Sequence, residues 1–261
     1  MSFFNVWAAG ALVALIYMTL IWIASVFLKN ASIVDIFWGL GFVVLSLVYF
    51  VLSEDGFQGR KVLITALVTI WGVRLSAHIA WRNRGKGEDF RYQEFRRKYG
   101  PARYWWFSFF QVFLLQGVIL WLISATLLAA QVHRAPDHFT LFDLLGAAVW
   151  GVGFFFEAGG DWQLMKFKQN PANQGKVMDR GLWAYTRHPN YFGDAAVWWG
   201  YFLIALGTGW GVLTIFGPLI MSLLLVFVSG VAMLEKSMRQ KPKYDDYRRR
   251  TSVFFPRPPR R

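Results

Sequence analysis

Long apolar blocks separated by short polar segments make up most of the chain. Each block is about 20 residues long, the length of helix that crosses roughly 30 Å of hydrocarbon. The blocks predict membrane helices at residues 3–27, 33–53, 62–81, 108–131, 140–161, 191–208 and 211–235. The apolar start lacks a basic segment before it, so we expect 3–27 to stay as a membrane helix. The pattern predicts an all-α polytopic membrane protein with about seven transmembrane helices, forming one domain over residues 1–261.

Basic residues are distributed unevenly between the two sides of these predicted helices. One set of loops, with the C-terminal tail, carries 24 of the 28 Lys and Arg residues, and the other set carries only Arg60, Lys61 and Arg134. Cytoplasmic loops hold the excess of Lys and Arg in membrane proteins. The distribution therefore predicts an outside N-terminus and a cytoplasmic C-terminus, with the protein in a bacterial inner membrane.

Composition narrows the classes of function. The net charge of +13 lies beside hydrophobic spans, so anionic lipid explains it and no nucleic-acid partner is expected. The chain has no Cys and four scattered His residues, so neither a thiol nucleophile nor a metal site is expected. The glycine-rich phosphate loops of soluble nucleotide-binding folds are missing, so any cofactor should bind between helices.

Several ionisable residues lie within or at the ends of the predicted spans. Charges in a membrane are costly, and they often mark functional sites. Two pairs, Arg74 with His78 and Glu157 with Asp161, have the i, i+4 spacing that places both side chains on one helix face. With Asp35, Asp194 and Glu235 they predict a polar cavity that opens to the cytoplasm. The alternative is a set of helix-end residues that pair with nearby Lys and Arg.

The predicted loop 162–190 combines basic residues with a helix start. Pro189 biases His188 away from helix, and Asn190 is placed to cap the sixth helix. A helix N-terminus attracts anions, and Lys166, Lys176, Arg180 and Arg187 surround this one in sequence. The segment therefore predicts a site for a phosphorylated ligand. The alternative is an interfacial loop that binds anionic lipid.

Two short motifs lie on either side of Arg187-His188-Pro189. The first is Gly181-Leu182-Trp183-Ala184-Tyr185, and the second is Asn190-Tyr191-Phe192-Gly193-Asp194. Together with Asp161 before Pro171, and Asp246-Tyr247 before Pro256, they resemble the C-terminal region of steroid 5-alpha-reductases. The resemblance covers about residues 157–256 and extends more loosely to segments 35–39 and 71–74. The whole chain resembles the bacterial branch of that family, whose members have seven helices and bind NADPH from the cytoplasmic side.

The resemblance implies a reductase that transfers hydride from NADPH to the β-carbon of an α,β-unsaturated ketone, such as a 3-oxo-Δ4-steroid. Asp35 is then the acid at the substrate carbonyl. Trp71 stands where the family has a carbonyl-binding Tyr, and Tyr92 is the substitute donor. The expected cofactor contacts are Arg74, His78, Glu157, Asp161, Lys176, Arg180, Tyr185, Arg187, His188, Asn190, Asp194, Glu235, Arg239 and Tyr247.

A second resemblance leads to a different reaction. Arg187-His188-Pro189 with Tyr191, followed by Glu235 and a Tyr247-Arg248-Arg249 tail, is similar to isoprenylcysteine carboxyl methyltransferases. Those enzymes use S-adenosylmethionine, usually with paired acids near the Glu235 position and fewer helices before the motif. A third alternative is a non-enzymatic lipid carrier. It would need a polar path to the outer face, where only Asp143 is available.

Overall fold

The structure is a computed structural model that describes residues 1–228 and 230–260, without the side chain of Ser237. The described chain is helical and contains no β-strand, only an isolated bridge between Thr186 and Ser252. Its α-helices are α1 (Phe3–Leu28), α2 (Ile33–Leu52), α3 (Gln58–Asn83), α4 (Phe90–Tyr99), α5 (Pro101–Ser108), α6 (Leu115–Val132), α7 (Leu141–Gln169), α8 (Leu182–Tyr185), α9 (Pro189–Leu206), α10 (Phe216–Leu223), α11 (Val231–Met238) and α12 (Tyr244–Arg250). Segments Phe109–Leu114 and Leu224–Val228 are π-helical, and Pro171–Asn173 and Gly211–Thr214 are 3₁₀-helical.

Six helical segments are long and apolar enough to cross a membrane, which confirms the prediction of an all-α polytopic membrane protein. They are Phe3–Leu28, Ile33–Leu52, Gln58–Asn83, Pro101–Val132, Leu141–Gln169 and Gly211–Lys236. The predicted span 191–208 corresponds to α9, which has 18 residues but is too polar to belong to this set. Within the predicted span 211–235, Ser229 lies outside the described residues, as does Arg261 in the tail.

The ends of two long helices show why they begin and stop where they do. Thr140 and Asp143 form a reciprocal capping box at the start of α7, which satisfies amide groups that a helix start leaves without partners. Lys29 ends α1 in the left-handed conformation, with φ of 52°, and its backbone N–H donates to Ser25 and Val26. Such capping matters in a membrane, where water cannot satisfy the backbone.

Two predicted loops are more ordered than their polarity suggests. Residues 82–107, expected as a loop, contain α4 and α5. Helix α7 continues to Gln169, so Asp161 lies within a helix and not at its end. Helix α4 contains many charged residues, and α5 and the last two turns of α7 are mixed in composition. Hydropathy alone therefore places these segments outside the helices.

The chain divides into two compact units. The first unit comprises residues 1–139 and 207–214 and contains α1 to α6. Its helices α2 and α3 cross at Gly39 and Gly72, where an added Cβ at Gly39 would lie 2.7 Å from the Gly72 carbonyl oxygen. Trp7 of α1 stacks on Trp121 of α6 at 4.3 Å between ring centroids, and each indole donates to the other's backbone.

The second unit comprises residues 140–206 and 215–261. Helices α7 and α9 pack closely along small residues. An added Cβ at Gly193 would lie 2.3 Å from the backbone nitrogen of Glu157. This contact brings the polar residues of both helices close together, because side chains cannot separate the two backbones at glycine.

Candidate functional site

The second unit contains a cavity of about 390 Å³ at the end of α7. One part of its lining is apolar and aromatic and includes Phe167, Met178 and Trp183. The other part carries amino groups from Lys168, Lys176 and Lys241. Pockets of 300–1,000 Å³ with apolar walls and a few polar groups are typical small-molecule sites. The lysines give this cavity a preference for anionic ligands.

One buried ionic cluster forms a wall of the cavity. The Arg187 guanidinium donates from Nε to Glu235 Oε1 at 2.8 Å and from Nη2 to Glu235 Oε2 at 3.2 Å. His188 Nε2 lies 3.1 Å from the same Oε1, and the Tyr244 hydroxyl donates to that oxygen at 2.6 Å. Side-chain exposure is 8% for Arg187 and 12% for Glu235. Charged and neutral donors thus form hydrogen bonds to both oxygens of the buried Glu235 carboxylate, and they stabilise its charge.

The same arginine ties the C-terminal tail to the loop before α9. Arg187 Nη1 donates to the carbonyl oxygens of Arg248 at 3.0 Å and Thr251 at 2.7 Å. The backbone N–H of Arg187 donates to Ser252, and the Thr186 hydroxyl donates to Phe254. All three guanidinium nitrogens therefore already donate hydrogen bonds. Arg187 was expected to contact cofactor phosphate; in this structure it organises the cavity wall.

The predicted residues of α7 and α9 lie together. Glu157 and Asp161 are both buried, and Asn190 Nδ2 donates to Asp161 Oδ1 at 3.0 Å. The expectation that Asn190 caps the sixth helix is wrong, because α9 begins at Pro189 and Asn190 is already inside it. The side chain of Asn190 pairs with α7 instead. Asp194 follows one turn later on α9.

Two buried side-chain atoms of this unit have no hydrogen-bond partner within the described residues. They are Asn190 Oδ1 and His188 Nδ1, and His188 lines the cavity. Buried polar atoms are nearly always paired with protein or water, because leaving one unpaired costs roughly 1–3 kcal/mol. Such atoms are candidates for contact with a ligand.

Other predicted cofactor residues occupy varied positions in this unit. Lys176 lines the cavity, and the Arg180 guanidinium lies 5.8 Å from the centroid of the Phe167 ring. Tyr185 is 47% exposed, and Arg239 is exposed just after α11. The Tyr247 hydroxyl donates to the Trp183 carbonyl oxygen at 2.6 Å, and burial raises the pKa of Tyr247 above its ordinary value. Tyr247 therefore holds the tail against α8 as a neutral donor.

In the first unit, the predicted acid Asp35 is bound by two neighbouring residues of α4. Arg91 Nη2 donates to Asp35 Oδ2 at 2.7 Å, and the Tyr92 hydroxyl donates to Asp35 Oδ1 at 2.7 Å. Asp89, the N-cap of α4, accepts a second hydrogen bond from Arg91 at 2.8 Å. Burial, and then the charge of Asp35, raise the pKa of Tyr92 well above its ordinary value. The arrangement pairs Asp35 with a cation and a hydroxyl donor, and it holds Tyr92 as a neutral hydroxyl.

The three predicted residues of α3 differ in exposure. Trp71 is completely buried, with its ring 5.9 Å from that of Phe42. Arg74 and His78 are half-buried and lie one turn apart on the same helix. Trp71 thus fills the core beside Phe42.

Residue patterns alone did not identify Arg91, Lys241 or Tyr244 as parts of a site. Arg91 and Lys241 belong to basic segments that the sequence explains by topology alone. Tyr244 stands in a tail that alternates basic and aromatic residues, a pattern also typical of a membrane-surface segment. Among the described residues, no group of three or more His, Asp or Glu side chains lies close enough to hold a metal ion.

Comparison with known proteins gives one relative and one family. The chain is 26% identical over 280 residues to an uncharacterized protein of the fission yeast Schizosaccharomyces pombe, an alignment that covers 97% of this chain and 80% of the relative. No solved structure matches the chain. The family described as "Protein of unknown function (DUF1295)" matches residues 21–251, and the chain therefore belongs to the DUF1295 family.

Proposed function

We propose that this protein is a membrane reductase that uses NADPH to reduce the carbon–carbon double bond of an α,β-unsaturated ketone. The observation that carries the proposal is the cavity of the second unit, which combines an aromatic wall with three lysines. The resemblance to steroid 5-alpha-reductases supports the same reaction. We further propose that the site faces the cytoplasm of a bacterial cell, because the basic loops and the tail are predicted there.

The residues of the second unit fit the chemistry of NADPH. Its phosphates need cationic donors, which Lys168, Lys176 and Lys241 supply around the cavity. A flat aromatic group of the cofactor can pack against Trp183. Its carboxamide N–H₂ group needs an acceptor, and Asn190 Oδ1 is a buried acceptor with no partner in the described chain. When bound, NADPH would supply the hydride that adds to the β-carbon of the substrate, and a proton from water would then add to the α-carbon of the enolate to give the saturated ketone.

The proposed hydrogen-bond donor to the substrate carbonyl is Tyr92, whose hydroxyl contacts Asp35. As the β-carbon gains hydride, negative charge develops on the carbonyl oxygen of the substrate, and a preorganised donor stabilises it. Tyr92 fills this role, because its neutral hydroxyl can turn from Asp35 toward the developing enolate oxygen. Arg91 keeps the Asp35 carboxylate neutralised at 2.7 Å while the hydroxyl turns. In this proposal Asp35 positions Tyr92, and Tyr92 is the hydrogen-bond donor.

The proposed substrate is a flat hydrophobic enone, such as a 3-oxo-Δ4-steroid, that partitions into the bilayer. An enone of this class carries one polar carbonyl on an apolar frame. A single donor such as the Tyr92 hydroxyl is therefore sufficient for its recognition. Membrane lipid delivers such a substrate without a step through water.

A second candidate is an S-adenosylmethionine-dependent methyltransferase. One observation favours it: Arg187, His188 and Glu235, the residues of the second resemblance, form one cluster at the cavity wall. The sulfonium of S-adenosylmethionine is cationic, however, whereas the lysines around this cavity favour anions. The charge of the cavity therefore favours NADPH.

Thermal unfolding of the detergent-purified full chain distinguishes the two functions. A ligand that binds only the folded state raises its stability with occupancy, so NADPH, NADH and S-adenosylmethionine are compared at matched concentrations. We expect NADPH to raise the midpoint most and S-adenosylmethionine to leave it unchanged. Stabilisation by S-adenosylmethionine alone would replace the reductase with the methyltransferase. If none of the three ligands shifted the midpoint, the result would argue against both the reductase and the methyltransferase and would favour the lipid carrier.

A further inference from the structure

The first unit contains a second cavity, of about 550 Å³, at the end of α1. Its lining comes from the last turn of α1, from α4 and from α5, and it includes Lys29, Arg96 and Tyr104. None of these residues belongs to the proposed cofactor or substrate site. The cavity therefore requires an explanation of its own.

The charge of this cavity is positive once its internal ion pair is taken into account. Glu88, the only carboxylate in the lining, accepts from Arg96 Nε and Nη2 at 2.9 Å each and from the Ala31 N–H at 2.7 Å. The Glu88 side chain is only 8% exposed, so its charge is paired with Arg96 and shielded from solvent. Lys29 has no carboxylate partner in the described chain, and Arg96 Nη1 makes no hydrogen bond there. The Lys29 ammonium group and the Arg96 Nη1 group therefore remain available as hydrogen-bond donors to a ligand.

A third donor comes from a buried hydroxyl. Tyr104 is 1% exposed, and its hydroxyl has no hydrogen-bond partner among the residues that the structure describes. The Arg96 guanidinium lies 4.6 Å from the centroid of the Tyr104 ring, so the two side chains are held together. A buried hydroxyl without a partner is costly. A phosphate oxygen in this cavity would satisfy it.

The backbone at Lys29 indicates that its side chain is used. The residue ends α1 with φ of 52°, a left-handed conformation that favours glycine and costs other residues free energy. A lysine at this position keeps an ammonium group beside the cavity at that cost. The charge also interacts favourably with the carboxyl end of α1.

The surroundings of the cavity indicate that the ligand is a lipid and not a soluble anion. Phe27 and Leu28, directly before Lys29, are 82% and 64% exposed at the end of a membrane helix. Trp105, in the cavity lining, accepts a hydrogen bond from the Trp22 indole and stacks on its ring. Tryptophan is enriched where hydrocarbon meets headgroups. Cations and exposed apolar residues thus meet at one place, as a phospholipid requires.

We propose that this cavity binds the phosphodiester headgroup of an anionic phospholipid, with Lys29, Arg96 and Tyr104 as donors to the phosphate oxygens. The acyl chains would lie along Phe27 and Leu28. A free phosphate ion has the same donor requirements but makes no use of that apolar surface. The two sources can therefore be separated by experiment.

The test uses the detergent-purified full chain and follows thermal unfolding during titration with dioleoylphosphatidylglycerol. Dioleoylphosphatidylcholine and sodium phosphate are titrated in parallel. The variants are Lys29→Asn, which removes the charge with a residue that tolerates left-handed φ, and Tyr104→Phe, which removes only the hydroxyl. Lys98→Gln is the control, because this exposed lysine of α4 lies outside the cavity.

We expect phosphatidylglycerol to stabilise the parent protein and Lys98→Gln alike. Each cavity variant should need about tenfold more lipid, the effect of losing one charge-assisted hydrogen bond. Without lipid, Tyr104→Phe should melt at or above the parent temperature, because it removes a buried hydroxyl without a partner. Equal lipid responses in all variants, or none in the parent, would overturn the proposal. Stabilisation by sodium phosphate that is lost in Lys29→Asn would show a soluble-anion site instead.

Discussion

The substitution Glu235→Gln tests whether the ionic cluster holds the C-terminal tail in place. Glu235 accepts four hydrogen bonds, from Arg187, His188 and Tyr244. Glutamine has the same shape, but it has no charge, and one of its two polar atoms is a donor that faces other donors. Arg187 would then be a buried cation without a counter-charge.

The structure sets the size of the expected effect. Breaking a buried ion pair by removing one partner costs about 3–5 kcal/mol. Glutamine still accepts through one oxygen, so the lower end, about 3 kcal/mol, applies. For a chain of this size, each kcal/mol of lost folding stability lowers the midpoint of thermal unfolding by roughly 2–4 °C. The midpoint of Glu235→Gln should therefore fall by roughly 6–12 °C.

Tryptophan fluorescence during heating in detergent measures the midpoint, and limited proteolysis measures release of the tail. The matched control is Asp246→Asn, which removes an exposed ion pair with Arg249 in the same tail. Exposed pairs contribute little, so the control should stay within about 2 °C of the parent. A Glu235→Gln protein with the parent's midpoint and a protected tail would refute the structural role of this cluster.

Four further predictions concern the proposed site and the helix packing in the second unit. Tyr92→Phe should lower kcat by about 10²- to 10⁴-fold with little change in NADPH binding, because it removes only the donor to the enolate. Burial holds the pKa of Tyr92 well above 10, so deprotonation of this residue should not lower the turnover of the parent between pH 7 and about 10. A fall in turnover over that range that is absent from Tyr92→Phe would contradict this prediction. The pair of substitutions Lys176→Gln and Lys241→Gln should weaken NADPH binding about fivefold per lysine in an equilibrium titration, whereas Lys166→Gln, outside the cavity, should match the parent. Gly193→Ala should lower the midpoint of thermal unfolding by several degrees, because the added Cβ must separate two helix backbones; an unchanged midpoint would show that the helices adjust freely.

Hydropathy predicted the membrane helices because burial in lipid requires about 20 apolar residues regardless of tertiary contacts. It placed α1 within a residue at each end, Phe3–Leu28 against 3–27. It could not place α4, because that helix is stabilised by contacts of Arg91 and Tyr92 with a residue more than 50 positions away. The Thr140 to Asp143 capping box, in contrast, has a recognisable sequence spacing and marks the start of α7.

The candidate site was only partly predictable for a similar reason. Spacing placed Glu157 and Asp161 on one face of a helix, and both are buried in the structure. The partner of Asp161 is Asn190, which sequence reasoning expected to cap its own helix. A side chain in the first turn can satisfy either its own backbone or a neighbouring helix, and only the close packing at Gly193 decides between them.

An equilibrium titration of the detergent-purified full chain with NADPH and NADH would show whether the protein binds NADPH and whether the lysines of the cavity recognise its phosphate. We expect saturable binding, with NADPH at least about tenfold tighter than NADH, since one additional phosphate contact contributes about 1.4 kcal/mol or more. This preference should fall toward unity when Lys176 and Lys241 are both replaced by Gln. Equal affinity for the two nucleotides, or no saturable binding of either, would contradict this expectation.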